Sequence, residues 1–139
     1  MMIAKILWIT GSSVYIFLAT LHLLYTFFTN KFLAKDKNTV EAMKNTHPLL
    51  TNRTTMWKAW IGFNGSHSSG GIFLGMSNLL LAVLYFPFLS DSLPLLILTI
   101  VTSLFYLFLG IKYWFNIPLS GIAIATTCYI VAFVIILAE

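Results

Sequence analysis

The segment MWKAWIGFNGSHSSGGIFLGMSNLLLAVLY, residues 56–85, is long enough to cross a bilayer, yet its first half is rich in polar and small side chains. A helix needs about 20 apolar residues to span the hydrocarbon core, and the apolar second half is typical of such a span. Polar side chains inside hydrocarbon are costly and usually face the interior of a protein. The segment therefore predicts a membrane helix whose polar face points inward, toward a site or a helix contact.

The whole chain has the composition of a membrane protein. Of its 139 residues, 59% are hydrophobic and 9% are charged, whereas a soluble domain carries about 25% charged residues. We expect one transmembrane domain over residues 1–139. The net charge of +4 does not indicate nucleic acid, because the basic residues lie between apolar runs, where they set membrane topology. The single cysteine, Cys128, excludes an intrachain disulfide and a cysteine-rich metal site.

Four apolar runs are long enough to span a membrane, namely residues 6–28, 57–86, 93–114 and 117–138. Only helices and closed barrels satisfy their backbone groups in lipid, and the runs lack the alternation of barrel strands. The sequence therefore predicts an all-α, integral membrane four-helix bundle. A long polar loop, residues 29–55, is expected between helices 1 and 2.

The connections between the last three runs are short. Residues 87–92 are expected to form a turn between Pro87 and Pro94. The last connection, residues 116–118, places Pro118 in the first turn of the final helix, where proline is favoured. Short turns make neighbouring helices antiparallel, which predicts an up-down-up-down bundle.

The long polar loop carries a helix signal of its own. Asn38 and Glu41 have the spacing of a capping box, which predicts a short helix over residues 39–45. A proline after His47 ends this helix, because the residue before proline disfavours helical geometry. His47 itself is expected to be solvated.

The basic residues are distributed unevenly between the two sides of this bundle. One side carries Lys31, Lys35, Lys37, Lys44, Arg53, Lys58 and Lys112, and an aromatic belt of Trp57, Trp60, Tyr113 and Trp114 lies at the same boundary. The other side holds Lys5, Asp91 and Glu139. The positive-inside rule then predicts a cytoplasmic loop and outside termini. Alternatively, the basic loop holds an anionic lipid head group.

Each predicted helix has one face of small or polar side chains. These faces contain Gly11, Tyr15, Ala19, His22, Thr26 and Thr29 on the first helix, Asn64, His67 or Ser68, Gly71, Gly75, Asn78 and Ala82 on the second, Thr99, Ser103, Tyr106, Gly110 and Tyr113 on the third, and Gly121, Ala125, Cys128 and Ala132 on the fourth. Gly71 and Gly75 form a GxxxG motif, which lets another helix approach closely. On the fourth helix, packing alone explains the pattern.

Two histidines are the strongest candidates for a site. At 1.5 Å per residue, His22 lies about 9 Å and His67 about 15 Å from the cytoplasmic boundary, so the two side chains are predicted to meet. Other polar residues are expected at comparable depth. The predicted ligand-binding residues are His22, His67, Asn64, Ser68, Tyr25 and Tyr106.

These residue types leave several functions open. Histidine exchanges protons near neutral pH, so the leading prediction is a histidine-lined pocket that binds a small amphipathic or lipid-like molecule, with its modification left open. The alternatives are b-type haem ligated by His22 and His67, a structural hydrogen bond, and an accessory subunit that packs in a homo-oligomer or larger complex. Zinc is not expected, because it takes three or four ligands. The absence of an acidic partner argues against a hydrolytic triad.

Two runs of the sequence, GSSVYIFLATLHLLYTF (11–27) and WKAWIGFNGSHSSGG (57–71), resemble a group of small bacterial four-helix membrane proteins of uncharacterised function. The resemblance extends over most of the chain. It implies the bundle fold and a bacterial inner membrane, but it supplies no activity and no functional residues. The motifs of the glutathione-linked MAPEG membrane enzymes are absent.

Overall fold

The computed structural model describes all 139 residues, and its regular elements are all helices. They are α1 (Met2–Phe28), α2 (Lys37–Asn45), α3 (Met56–Leu84), α4 (Phe86–Asp91), α5 (Leu93–Tyr113) and α6 (Asn116–Ala138). Four of them, α1, α3, α5 and α6, are long and apolar enough to cross a membrane. The predicted helical class and the four apolar helices are therefore confirmed.

Contacts divide the chain into two compact units. The first unit contains residues 1–18 and 71–139, and the second contains residues 19–70. The long helices α1 and α3 each contribute one part to either unit. The first unit also holds α4, α5 and α6, whereas the second holds α2 and the connections around it.

Hydroxyl side chains within the long helices bond to the backbone of their own helix. Ser68 Oγ donates to the Asn64 carbonyl over 2.9 Å. Thr126 Oγ1 donates in the same way to the Ile122 carbonyl over 2.7 Å. Such a bond to the carbonyl four residues earlier satisfies the hydroxyl where no water is present. This explains how α3 continues unbroken through its serine-rich half.

Aromatic rings occupy the core of the first unit. Trp8 and Tyr129 are completely buried, with ring centroids 4.9 Å apart and tilted by 58°. Tyr15, also buried, lies 6.2 Å from the Tyr129 ring. Tilted and offset arrangements of this kind are favourable for aromatic pairs. The helices of the first unit are thus held around large rings as well as small side chains.

A chain of hydroxyl groups runs through this core. Thr126 Oγ1 donates its proton to the Ile122 carbonyl, so in its bond with Ser103 Oγ, at 2.8 Å, it is the acceptor. Ser103 in turn accepts from the Tyr15 hydroxyl at 2.8 Å. The hydrogen bonds therefore all run in one direction, from the Tyr15 hydroxyl to the backbone of α6, and each of the three hydroxyl protons is donated.

Asn78 is the second polar centre of the first unit. Its Oδ1 accepts from Trp8 Nε1 and lies equally close to Thr99 Oγ1, both at 2.9 Å. Its Nδ2 donates to the Leu74 carbonyl at 3.0 Å. No buried side-chain nitrogen or oxygen in the chain is without a partner. The sequence interpretation placed Asn78 on a polar face but did not anticipate its bond to Trp8.

The GxxxG face of α3 packs against α1 within the first unit. A Cβ atom at Gly75 would lie 2.7 Å from Ile16 Cγ1 and 2.9 Å from the Ser12 carbonyl oxygen. Because the second of these is a backbone atom, only glycine fits. Gly71 is buried as well. The two glycines predicted for helix packing thus lie on a covered face, and Gly75 makes the close approach.

The turn predicted for residues 87–92 is wrong, because most of it forms the short helix α4. Pro87 lies in the first turn of α4, where its missing N–H would have had no helical partner anyway. Pro94 occupies the same kind of position in α5. The two prolines therefore start new helices after α3 ends. Pro118 does lie in the first turn of α6, as predicted, but the connection predicted over residues 116–118 is wrong, because α6 already begins at Asn116 after its N-cap Phe115.

The N-cap predicted for the loop helix is also wrong. Asp36, rather than Asn38, caps α2, and its Oδ1 accepts from the Asn38 N–H over 3.0 Å. The Thr39 hydroxyl donates to the other carboxylate oxygen, also over 3.0 Å. These donors, above all the Asn38 N–H, hold the pKa of the Asp36 carboxyl below its ordinary value. An ionised carboxylate accepts hydrogen bonds more strongly than an amide, which explains why α2 begins at Lys37 rather than at the predicted residue 39.

The connection between α2 and α3 is closed by two hydrogen bonds. His47 Nδ1 lies 2.8 Å from the Thr54 carbonyl oxygen, which accepts its proton. The Met56 N–H donates to the Thr46 carbonyl over 2.8 Å. His47 is exposed, but it also has this structural bond, which the sequence interpretation did not include.

Candidate functional site

The second unit brings the two predicted histidines together. The ring centroids of His22 on α1 and His67 on α3 are 5.4 Å apart, and the rings are inclined by 71°. Both side chains are half-buried. This distance confirms the predicted proximity of the two rings, whereas their role in binding a ligand stays a prediction.

Asn64 fixes the orientation of the His22 ring. Its Nδ2 donates to the Trp60 carbonyl over 2.8 Å, which leaves its Oδ1 facing His22 Nε2 at 2.9 Å. An amide oxygen can only accept. His22 Nε2 therefore carries a proton and donates it, and in the neutral ring the acceptor is Nδ1.

Aromatic residues from the end of α1 and the connection after it pack beside His22. The Phe32 ring centroid lies 4.5 Å from that of His22 and 6.2 Å from that of Tyr25. The Lys31 ammonium lies 4.1 Å from the centroid of the Tyr25 ring, in cation–π contact. The His22 imidazole thus packs against the Phe32 ring, and Lys31, the first basic residue of the connection, contacts the Tyr25 ring.

A pocket of about 260 Å³ shares the Phe32 wall with this cluster. Its walls come from the end of α1, the connection that follows and the start of α3. The lining residues are Thr26, Phe27, Thr29, Asn30, Phe32, Leu33, Trp57, Trp60 and Ile61. None of these side chains is charged. The pocket is therefore an aromatic and aliphatic space with a few neutral polar groups.

The polar groups of the pocket differ in whether they are already bonded. The hydroxyls of Thr26 and Thr29 donate to carbonyls one turn earlier in the chain, over 2.8 and 2.9 Å. The indole N–H groups of Trp57 and Trp60 have no hydrogen-bond partner within the chain, and neither has the carboxamide of Asn30. These three side chains hold the hydrogen-bonding capacity of the pocket that is not used within the chain.

The six predicted ligand-binding residues do not line this pocket. Ser68 is 1% exposed, and its hydroxyl already donates to the Asn64 carbonyl. Tyr106 belongs to the first unit, where its ring lies 5.7 Å from Tyr15 and 6.2 Å from Trp114. His22, Asn64 and His67 form one cluster in the second unit, and Tyr25 is linked to it through Phe32.

Sequence reasoning missed the pocket itself, although signals for it were present. Thr26 and Thr29 continue the helix face that carries His22, and they were named only as part of that face. Trp57 and Trp60 were interpreted as an aromatic belt alone. The missing information was the path of the connection after α1, which folds Phe32 back onto His22.

The histidine pair does not fit a haem as it is placed. Haem iron ligated by two imidazoles needs the macrocycle between the rings, but these rings are in edge-to-face contact, and one Nε2 is bonded to Asn64. No group of three or more His, Cys, Asp or Glu side chains is positioned to hold a metal ion. The interaction that this cluster shows is hydrogen bonding.

Comparison with known proteins assigns no family. No protein-family model, no curated protein and no solved structure matches this chain. The resemblance to small bacterial membrane proteins stays a prediction.

Proposed function

We propose that this chain is an integral membrane protein that binds the polar head group of a small amphipathic molecule in the pocket of the second unit. One observation carries the proposal: the pocket has apolar and aromatic walls, and three of its side chains retain unused hydrogen-bonding groups. Sites for small molecules combine a mostly apolar surface with a few placed polar groups. The composition of this pocket matches that pattern.

The size of the pocket supports a head group rather than a whole lipid as its occupant. Sites for drug-sized molecules measure about 300–1,000 Å³, whereas this pocket measures about 260 Å³. Phe27 lines the pocket and is itself 55% exposed. An apolar tail can therefore leave the pocket along this ring toward the lipid, while the head group stays inside.

In this proposal the histidine cluster positions one wall of the pocket. Asn64 holds the His22 ring, and Phe32 packs on that ring while it lines the pocket. His22 and His67 thus act through Phe32 and need not touch the ligand. This replaces the histidine-lined pocket expected from the sequence with an aromatic pocket beside the histidines.

We also propose an orientation in the membrane, with α1, α3, α5 and α6 crossing in alternating directions. The connection between α1 and α3 is then cytoplasmic and both termini are outside, in a bacterial inner membrane. The positive-inside rule supports this orientation, because seven of the eight basic residues fall on one side. Two contacts support opposite directions for α1 and α6. Ser12 contacts Tyr129 and Leu18 contacts Gly121, so residue numbers rise along α1 where they fall along α6.

Cysteine labelling tests the orientation. In a Cys128→Ala background, cysteines placed at Lys37 and Asp91 should react with a membrane-impermeant maleimide from opposite sides of oriented vesicles. Reaction of both positions from the same side would exclude this arrangement of four spans.

Photolabelling tests the binding pocket. The probe is a decanol that carries a diazirine, added to the purified protein in nanodiscs. We expect labelling of residues 26–33 and 57–61 that unlabelled decanol suppresses in a saturable manner. Labels that are not suppressed and that fall only on outward-facing side chains, such as Phe73 (75% exposed), would overturn the proposal.

Two tryptophan variants on α3 provide a matched pair. Ile61→Trp should fill the pocket, because Ile61 lines it, and should remove the saturable labelling. Phe63→Trp lies two residues further along and faces outward, with 74% of the side chain exposed. It should leave the labelling unchanged. Equal labelling of both variants would place the bound probe outside the pocket.

A second proposal is that α3 packs against a helix of another membrane protein or of a second copy. Gly62, Ser66 and Gly70 are spaced by one turn and are exposed, and a Cβ atom at Gly62 would meet nothing within 4 Å. Small residues at this spacing permit close helix contacts. Crosslinking in native membranes should capture a partner that Gly62→Leu loses, and a solely monomeric product would exclude this packing.

A further inference from the structure

The charge of the pocket wall restricts what its occupant can be. None of the nine lining side chains is ionised, so the pocket offers no counter-ion. Lys31, which lies in the chain between two lining residues, has its ammonium against the Tyr25 ring. Moving a charged head group from water into such a site costs free energy, and no oppositely charged lining side chain offsets this cost. The pocket therefore favours an uncharged head group.

The unused polar groups of the pocket are mainly donors. An indole nitrogen can only donate, and a carboxamide has two donor hydrogens and one acceptor oxygen. Trp57, Trp60 and Asn30 carry these groups without a partner inside the chain, while the protons of the two lining threonines are bonded to backbone carbonyls. A head group that only donates would leave the indoles unsatisfied, whereas a head group with an accepting oxygen bonds them.

From these two observations we infer that the pocket selects an uncharged, carbonyl-bearing amphiphile, that is, a long-chain ketone, ester or quinone. The inference rests on the proposed function and names its ligand class. The carbonyl oxygen accepts from the indole N–H groups or the Asn30 carboxamide, and the flat apolar part of the head group lies among the aromatic walls. The aliphatic tail leaves toward the lipid past Phe27.

Competition between head groups on one tail length tests the inference. Dodecan-2-one, dodecyl phosphate and dodecylamine are each added to the protein in nanodiscs at equal mole fraction in the bilayer, against the diazirine decanol. We expect the ketone to suppress labelling at about tenfold lower mole fraction than either charged probe, a difference of about 1.4 kcal/mol. Suppression by the phosphate or the amine at the same or lower mole fraction overturns the inference and leaves the proposed function standing. If unlabelled decanol suppresses labelling but none of these three probes does, the inference falls alone; if decanol does not suppress it either, both fall.

Removing a single donor tests the role of the indoles. Trp57→Phe and Trp60→Phe keep an aromatic ring but lose the N–H. The loss of one hydrogen bond should raise the mole fraction of ketone needed by roughly three- to tenfold in at least one of them. The control is Tyr113→Phe, which removes a polar group from an exposed ring outside the pocket and should change nothing. If neither tryptophan variant differs from this control, the carbonyl is not recognised by the indoles, and the assigned ligand class is wrong.

Discussion

In the first unit the polar side chains between the helices are buried and bonded in chains that end on backbone carbonyls, whereas in the second unit several polar groups remain unbonded beside a pocket. The hydroxyl chain from Tyr15 through Ser103 to Thr126 is an example of the first kind. The indoles of Trp57 and Trp60 are examples of the second. A closed network stabilises the fold, while unused donors are available to a ligand.

Two asparagines of α3 make the difference concrete. Asn78 is 5% exposed and joins Trp8 and Thr99 to its own helix. Asn64 is half-buried and bonds one imidazole that packs against a pocket wall. The same residue type on the same helix thus has a structural role in one unit and a positioning role in the other. Burial and the number of bonded partners separate the two roles, and residue type does not.

The largest effect is expected for Gly75→Leu, which tests the close contact between α1 and α3 in the first unit. Gly75→Leu should destabilise the protein by about 3 kcal/mol, the upper end for overpacking, because the added atoms meet the Ser12 carbonyl oxygen, a backbone atom. Gly62→Leu in the second unit has open space and should leave the unfolding temperature nearly unchanged. Unfolding in detergent, followed by tryptophan fluorescence, measures both. Equal stability of the two variants would contradict the close contact.

Replacing each asparagine of α3 compares the two polar regions directly. Asn78→Leu leaves the buried Trp8 N–H without its acceptor and should cost about 1–3 kcal/mol of unfolding free energy. Asn64→Leu releases a half-buried imidazole that water can reach, so we expect a loss at or below about 1 kcal/mol. Chemical denaturation of both variants checks the order. A reversed order would mean that the histidine cluster, and not the first unit, holds the fold together.

Replacing a side chain of the pocket wall should weaken binding of the probe more than it lowers the stability of the protein. Phe32→Ala removes the ring that packs on His22 and lines the pocket, so saturable labelling by the diazirine decanol should fall several-fold. Phe28→Ala removes a ring that is 79% exposed and does not line the pocket, and it serves as the control. Mass spectrometry of the labelled peptides gives the comparison. Unchanged labelling in the Phe32 variant would separate the histidine cluster from ligand binding.

The smallest effect is expected at the cap of α2, on the exposed side of the second unit. The pKa of the Asp36 carboxyl is lowered from 3.8, chiefly by the Asn38 N–H, so its capping is present above that value and is lost as the pH falls through the folded pKa. Asp36→Ala should lower the hydrogen-exchange protection of residues 37–45 at neutral pH and leave the unfolding temperature unchanged. Asp91→Ala is the matched acidic control. If the Asn38 amide resonance does not move as the pH is lowered below 3.8, the cap is absent in solution.

The predictions of helix ends were right where the stretch carries a single sequence signal, and wrong where two signals in one stretch favour different structures. Pro118 lies in the first turn of α6 as expected, because proline in a first turn loses no hydrogen bond. Around residues 87–92 the prolines were interpreted as turn formers, although they are equally suited to start helices. At α2 the capping-box spacing of Asn38 competed with the carboxylate of Asp36 two residues earlier, and the carboxylate caps the helix.

The amino-acid sequence by itself determined the helical class, the four long apolar helices and the nearness of His22 to His67, since these follow from hydropathy and from the fixed rise of a helix. Only the tertiary structure decided which polar groups are bonded within the chain and which are not. That outcome depends on contacts between residues far apart in the chain, such as Trp8 with Asn78, and on the path of a connection that has no periodic pattern. Helical periodicity gives the face on which a side chain lies, but the partner it meets is set by the packing of the other helices.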